Sequence, residues 1–497
     1  MAPRVWIQLC LRPTLVAFGS GLIPVGWSEE GGSSELKFDR QLEDVAPVAE
    51  PADPHAAGPV VIKSTVTPEL PTSPAPPPVP EISSYWRFRW MGWDGIAFEI
   101  QENTSIPNPP AMEEKEILSK FSRFSVDRVK FTAKIGMRID LDLATFLNGG
   151  DAADLGTRME LRRFRILTKG DFLLLFPFLY QLELGYVPHA FYVENMYLAM
   201  DQIPILGQVK TGGFSAPMGF ENMVSSQWQT FMELDSASAA LTPGIEPGVQ
   251  FNRTFSNNRM TLTGGLFADG LTNDASSASS DYGRLIGRVT WLARVDEGDD
   301  PDRSAGLTHF GASVNWIKSG SSQIRYRARP EAHAAPYAID TGDIPSDSAA
   351  TVGLEFVHLQ NGLLLQTEVF HSKVDLDDAP SLGFFGGYVS GSWIISGERR
   401  TYDRKRGVFS SVAPSREFSW NDWKDTSWAF SIRGSYTDLS DHSIDGGRML
   451  LGTVGLTAYL QDRIRVKLNV VAGNSWTETT TARHLAIETR LSIDLGP

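Results

Sequence analysis

The sequence predicts an all-β fold, a transmembrane antiparallel β-barrel, and three observations carry that reading. Segments of strand length alternate between apolar and polar residues, and turn dipeptides or polar loops separate them. No run of about 18 apolar residues follows the N-terminal segment, so helical membrane spans are excluded. A barrel escapes that last test because only alternate residues of each strand face lipid. The mean hydropathy of −0.16 is compatible with such a surface. So are 13 Trp, 27 Phe and 12 Tyr among 497 residues.

Taken in order, residues 1–28 read as a signal peptide. Arg4 and Arg12 make a basic region, residues 13–27 are uncharged and mostly apolar, and Gly26-Trp27-Ser28 suits cleavage before Glu29. A buried N-terminal strand is the alternative. The single cysteine, Cys10, lies in this stretch, so a processed chain carries no thiol, which suits an oxidising compartment. Residues 29–84 hold ten Asp or Glu against three Lys or Arg, with eleven prolines between Pro47 and Pro80. Too little apolar surface is available there to repay ordering entropy, and a disordered acidic, Pro-rich linker is expected. It is either a tether of unknown partner or an inert spacer. The remaining residues, 85–497, carry 40 basic and 49 acidic side chains, a net charge of −9.

From Tyr85 onward strand follows strand. Val352, Leu354 and Phe356 alternate with Thr351, Gly353 and Glu355, and Asn361-Gly362 then supplies a type I′ hairpin dipeptide. Ser256-Asn257-Asn258-Arg259 separates "VQFNRTF" from "MTLTGGLF" in the same way. Trp428, Phe430, Ile432 and Tyr436 share one face, and Ser431 and Arg433 the other. Near the C-terminus, Ile464, Val466, Leu468 and Val470 oppose Arg463, Arg465, Lys467 and Asn469. Short turns alternate with long polar loops such as 328–350 and 399–425, expected at opposite rims of a barrel. Trp86, Trp90, Trp291, Trp316 and Trp393 suit an interfacial belt. "FLLLFPFLY" (172–180) is apolar on both faces, as for a strand covered inside the barrel or lying at a subunit interface.

Several blocks then carry a resemblance. "RFRWMGWDGIAFEI" and "KFTAKIGMRIDLDLATF" resemble the opening strands of the phosphate-selective porin O and P family. "GQVKTGGFSAPMGFENMVSSQWQTFMELDSASAAL" resembles its glycine-rich strand end and constriction loop. "YRARPEAHAAPYAIDTGDI", "GGYVSGSWIISGERRTYDRKRGVF" and "SYTDLSDHSIDGG" resemble later blocks, in family order over roughly residues 85–497. The resemblance implies 16 strands, an inward-folded constriction loop, a homotrimer in the outer membrane, and passage of small solutes or anions such as phosphate. It places Phe220, Glu221, Phe231, Glu233 and Asp235 on the constriction loop. No cofactor, metal or nucleic acid is implied.

In such a barrel the odd positions Arg463, Arg465 and Lys467 face the lumen. Guanidinium groups hold oxyanions bidentately, and a row of them replaces a hydration shell in steps. Arg325, Arg327 and Arg329 recur with period two, so one strand could project all three inward. Arg162 and Arg163 are similar to a paired arginine at the family's constriction; being adjacent, both reach the lumen only at a bulge or the rim. Arg165 stands where the family has an aromatic. Lys210 lies at the base of the constriction loop. Arg399, Arg400, Arg404, Lys405 and Arg406 read as a solvated charge run in an external loop.

Other departures weaken an anion preference: Leu234, Ile245 and Glu246 replace usual basic positions. The chain ends Leu495-Gly496-Pro497 instead of in the aromatic usual for bacterial barrels. A weakly selective diffusion porin, a structural envelope barrel and a secreted β-rich hydrolase are the alternatives. No HExxH, GxSxG or P-loop motif supports an enzyme.

Overall fold

The computed structural model describes residues 83–90, 96–103 and 131–496, apart from 153, 174–175, 188–189, 269–281, 297–305, 320–322, 377–378, 396–399, 413–425 and 462. The expected signal peptide, residues 29–82 of the expected linker, Cys10 and Arg399 lie outside the described residues, whereas Ser83 and Ser84, expected in the linker, begin a strand.

Sixteen strands form the barrel. They are β1 (Thr132–Phe146), β2 (Thr157–Leu173), β3 (Pro177–Val187), β4 (Ala190–Ile203), β5 (Gly207–Ser215) and β6 (Ile245–Phe255). Next come β7 (Met260–Ala268), β8 (Tyr282–Asp296), β9 (Gly306–Ser319), β10 (Ser348–Gln360) and β11 (Leu363–Asp375). The ring is completed by β12 (Leu382–Ile394), β13 (Ser427–Asp441), β14 (Ile444–Gln461), β15 (Ile464–Trp476) and β16 (Thr481–Leu495). Each pairs antiparallel with the next, and β16 returns to β1 from Ala486↔Phe146 to Leu495↔Met137. Closure has a solvent reason: in hydrocarbon each backbone N–H and C=O needs a partner, and a ring leaves no open edge. A hairpin of Ser83–Trp90 and Ile96–Asn103 precedes the ring, and Ile96–Glu99 pairs with the foot of β1. The first resembling block therefore forms this hairpin, and all sixteen barrel strands come from residues 132–495.

The period-two pattern decides which face is which. Leu354, Val352, Phe310, Trp291, Val454 and Leu468 are exposed on the outer surface, while Thr351, Glu355, His309, Thr453, Lys467 and Asn469 are buried inside. At the Asn361-Gly362 turn both φ values are positive, 48° and 81°, as type I′ requires. Ser256, Asn257 and Asn258 likewise adopt φ of 52°, 55° and 60° between β6 and β7. "FLLLFPFLY" does not form one strand. It ends β2 and starts β3, with Phe172 stacked on Phe178 at 5.3 Å, so its apolar run is a hairpin end.

Thr132 and Leu495 mark one rim, here the terminal rim; the other is the loop rim. Connections 216–244 and 320–347 leave the loop rim and fold inward. At the terminal rim most turns are short, but 395–426, joining β12 to β13, is long. The expectation of long loops at one rim only is thereby corrected. Its hairpin, Arg400–Asp403 paired with Val408–Val412, bends into the lumen.

These inward segments give the barrel its hydrophobic core. Met218, Leu241, Tyr326 and Ala328 pack on Phe370, Phe384 and Met449 of the wall. Phe220, Met223, Tyr402 and Phe409 pack on Leu292, Leu307, Val357 and Leu359. A polar inner wall is thus dried locally by loop side chains, which is why so many of its charges are buried.

Candidate permeation pathway

The constriction loop (216–244) carries two short helices, α1 (Phe220–Met223) and α2 (Ser236–Leu241). Asp235 caps α2, accepting from the backbone N–H groups of Ala237 and Ser238 at 2.9 and 3.0 Å. Glu368 of the wall accepts from the N–H groups of Phe220 (2.5 Å) and Glu221 (2.9 Å), holding the start of α1. Three wall cations pin the rest. Lys467 donates to the carbonyls of Gln229 and Phe231 at 2.5 and 3.3 Å. Arg490 donates to Met232 O at 2.6 Å and to Glu233 at 2.7 Å while chelating Asp142. Arg433 meets Glu221 at 3.0 Å, Glu331 at 2.6 Å and the carbonyl of Glu233 at 3.1 Å.

Charge within the loop follows this wiring. Burial pushes the Glu221 carboxyl up to about 8 against the pull of Arg433, and Asp235 and Glu331 add to the rise. Asp235 is raised in the same way, burial outweighing Arg433. Burial also acts on Glu233, but Arg162, Arg490 and Arg163 outweigh it and hold that carboxyl well below its usual range.

A cavity of about 1930 Å³ runs beside these segments and is lined by residues from both rims. Its barrel wall is β1 to β6, with Arg463, just before β15, and the end of β16 near the terminal rim; the constriction loop, the inward loop after β9 and the inward hairpin line its other side. Fourteen Lys or Arg line it against eight Asp or Glu. The acidic excess of the chain therefore lies elsewhere.

Eight of the ten cations expected from sequence line this cavity: Arg162, Arg163, Arg165, Lys210, Arg325, Arg327, Arg329 and Arg463. Arg162 and Arg163 reach the same side because β2 bulges there. Asp140 pairs with Arg163 and Leu141 with Leu161, leaving Arg162 as the extra residue. Arg162 then grips Glu233 through two bonds of 3.0 and 3.1 Å, and Arg163 meets Asp140 at 3.2 Å. Arg165 sits between Glu183 (3.2 Å) and Glu194 (2.6 Å). Lys210 stands over the rings of Phe214 and Tyr197 at 3.8 and 4.9 Å. The row of Arg325, Arg327 and Arg329 exists with its period of two, but on the inward loop and not on a barrel strand. Arg325 is paired with Asp340, and Arg327 and Arg329 stack on Tyr337 at 4.1 and 4.6 Å. Arg463 donates to the carbonyl of Gly496.

Arg465 and Lys467 point inward as the alternation requires, yet neither lines the cavity. Arg465 pairs with Asp494 and lies 4.7 Å over Trp228, and Lys467 is consumed by the constriction loop. Of the five loop residues expected from sequence (Phe220, Glu221, Phe231, Glu233 and Asp235), only Glu233 lines the cavity. Phe220 and Phe231 are buried anchors, and Glu221 and Asp235 are buried wiring. Leu234 and Ile245 also line it, but Glu246 is buried beside Arg284 at 3.5 Å. The run at 400–406 is not external. Arg400 is buried within 3.1 Å of Ser392, and Lys405 and Arg406 line the cavity.

A model of the family described as phosphate-selective porin O and P matches residues 131–495. This chain belongs to that family. An uncharacterized protein of Caulobacter vibrioides is 26% identical over 389 residues, 75% of each chain. The outer membrane channel DcaP of Acinetobacter baumannii is similar at 10% identity and a TM-score of 0.46, over 74% of this chain and 98% of its own. OprB of Pseudomonas putida is similar at 9% identity and a TM-score of 0.44, over 76% and 96%. As a member of that family, the porin is an outer-membrane channel for small solutes.

Sequence reasoning passed over several of the porin's lining cations. Lys134 and Arg138 share the parity of Gly136 on β1, and Lys169 shares that of Arg163 and Arg165 on β2. Parity alone was a sufficient signal for these three. Arg253, Lys405 and Arg406 had no comparable signal, and the clamps Arg288, Arg433 and Arg490 are recognisable only from their partners.

Proposed function

We propose that this porin prefers anions, with phosphate among its solutes, and works as a homotrimer. The observation that carries the reading is the excess of cations lining the cavity, fourteen against eight, in a barrel domain whose net charge is −9. Low-dielectric walls focus that local field, and spaced guanidinium groups allow an oxyanion to be passed along without being trapped. Arg162, Arg163 and Arg165 stand on β2, each facing carboxylates, and Arg325, Arg327 and Arg329 stand on the inward loop that follows β9. Exposed Ile166, Leu184, Phe191, Met196 and Leu198 on β2 to β4 supply an apolar outer face suited to a neighbouring subunit.

A weakly selective diffusion porin is the second reading, favoured by the ion pairs that already occupy Arg162, Arg163 and Arg165. Single-channel recording in a potassium chloride gradient separates the two. An anion-preferring reversal potential, with chloride current reduced by added inorganic phosphate, is the expected result; equal permeabilities overturn it. Mass measurement of the detergent-solubilised porin tests the trimer.

A further inference from the structure

The cavity wall divides into two chemistries. Strands β1 and β2 turn Lys134, Arg138, Arg162, Arg163, Arg165 and Lys169 toward it, whereas β3 to β6 turn carboxamides: Gln181, Asn195, Gln208, Gln250 and Asn252. Strand register makes these five one patch. Gln181 lies across from Tyr197, Lys210 from Gln250, and Gln208 from Asn252. Directly opposed residues have Cβ atoms only about 4.5–5.5 Å apart. Asn195 stands two residues from Tyr197, on the same face of β4. Lys210 is the one base within the patch, and its ammonium is laid over the rings of Phe214 and Tyr197.

Each of four amides is oriented by a bond at one edge. Gln208 donates to Asp201 at 2.6 Å, Asn195 to Glu183 at 2.8 Å and Asn252 to Thr263 at 3.0 Å, while Gln181 accepts from the Tyr197 hydroxyl at 3.0 Å. Among the described residues, the carbonyl oxygens of Gln208, Asn195 and Asn252 and the amide nitrogen of Gln181 have no protein partner. Gln250 is 5% exposed at the cavity wall, and its Oε1 has no hydrogen bond. A buried carbonyl without a donor is costly until a lumenal group supplies one. The tip of the inward hairpin borders the patch, since Asn252 also donates to Lys405 O at 3.0 Å.

We propose that this amide patch is a subsite for neutral, hydroxyl-rich solutes such as small sugars. Its open edges are mostly carbonyl acceptors, which a fully ionised oxyanion or chloride cannot use because it has no proton to donate. A cationic solute has donors but meets Lys210 in the middle of the patch. A neutral hydroxyl donates to the carbonyls and accepts from Gln181, and pays no charge desolvation on leaving water. The inference rests on the channel role and not on anion preference, so either reading can fail alone.

The test is planar-bilayer recording on the full chain, with sucrose as the probe. Polyethylene glycol of matched mass is the size control, because its chain oxygens accept but do not donate. Sucrose should reduce the mean ion current at lower concentration than the control and add current noise. In the Gln208→Leu, Gln250→Leu double variant, the half-reducing sucrose concentration should rise about tenfold, as expected for the loss of two hydrogen bonds. The chloride-to-potassium permeability ratio should stay at the wild-type value, because neutral side chains replace neutral ones. Gln227 also lines the cavity, but on the constriction loop beside Ser226, which meets Arg138 at 3.0 Å. Gln227→Leu should therefore leave the sucrose response unchanged. Equal reduction by sucrose and the glycol in wild type would overturn the proposal, as would a double variant with the wild-type half-reducing concentration. If the double variant lacks a folded gel band, Gln208→Leu alone decides, with a rise of several-fold expected at this partly exposed position and no rise overturning the subsite. A wild-type channel without anion preference that still responds to sucrose would overturn the earlier reading and support this one.

Discussion

Glu233 shows how much a single carboxylate can decide here. Arg162 and Arg490 both spend donors on it, so two guanidinium groups beside the cavity are held as pairs. Glu233→Gln should release one positive charge to the pathway and raise the chloride-to-potassium ratio, read from the reversal potential. Leu234→Arg should act in the same direction because Leu234 lines the cavity. Glu246→Arg should leave the ratio unchanged and lower stability, since that side chain is buried beside Arg284. The pH response differs between the loop's acids. Glu221 has a folded value near 8, above the ~4.3 of a free glutamate, so its protonated form is favoured by the fold. The stability this brings is fully present below the free value and is lost as pH rises through about 8. Glu233 is depressed, so its contribution is present above the free value and lost only as pH falls through its low folded value. The temperature at which folded mobility is lost on gels should fall between pH 5 and 9, and Glu221→Gln should flatten that fall.

At the scale of elements, the constriction loop is held by wall cations more than by its own helices. Breaking a buried pair by removing one partner costs about 3–5 kcal/mol, because it strands the other charge. Arg490→Gln leaves Asp142 stranded and unpins Met232 and Glu233. It should give noisier and larger single-channel currents, whereas Asp235→Ala, losing a helix cap worth about 1 kcal/mol, should disturb them less. Two arginines of equal parity make a sharper comparison. Arg327→Gln should reduce anion preference because the side chain lines the cavity. Arg465→Gln should reduce it less, because Arg465 is buried behind Asp494 and Trp228 and does not itself line the cavity. Equal shifts from both would mean that the loop-borne row is not in the path.

For the whole molecule, among the described residues the closed ring is built from residues 132–495, and β16 pairs with β1 along ten residues. A chain of residues 131–497 should therefore refold in detergent, stay β-rich by circular dichroism, and change gel mobility on boiling. Loss of that mobility shift would mean that the preceding hairpin is needed for closure.

What the sequence determined by itself was everything that period two encodes. The side-chain period of a strand is local, so inward and outward sets, the Asn361-Gly362 hairpin, and the inward direction of Arg463, Arg465 and Lys467 were all legible. Arg162 and Arg163 were legible as far as the need for a bulge, which the register of β1 and β2 supplies. Only the tertiary structure decided what each inward side chain meets. Whether a lumenal cation faces water or a loop depends on how three connections fold back, and their contacts join residues separated by more than a hundred positions, such as Lys467 to Gln229 or Arg406 to Met223. A run of charge at 400–406 reads the same whether it is solvated outside or clamped inside. The difference lies in Arg288, which turns the tip's carbonyls to the wall and so leaves its cations facing the channel.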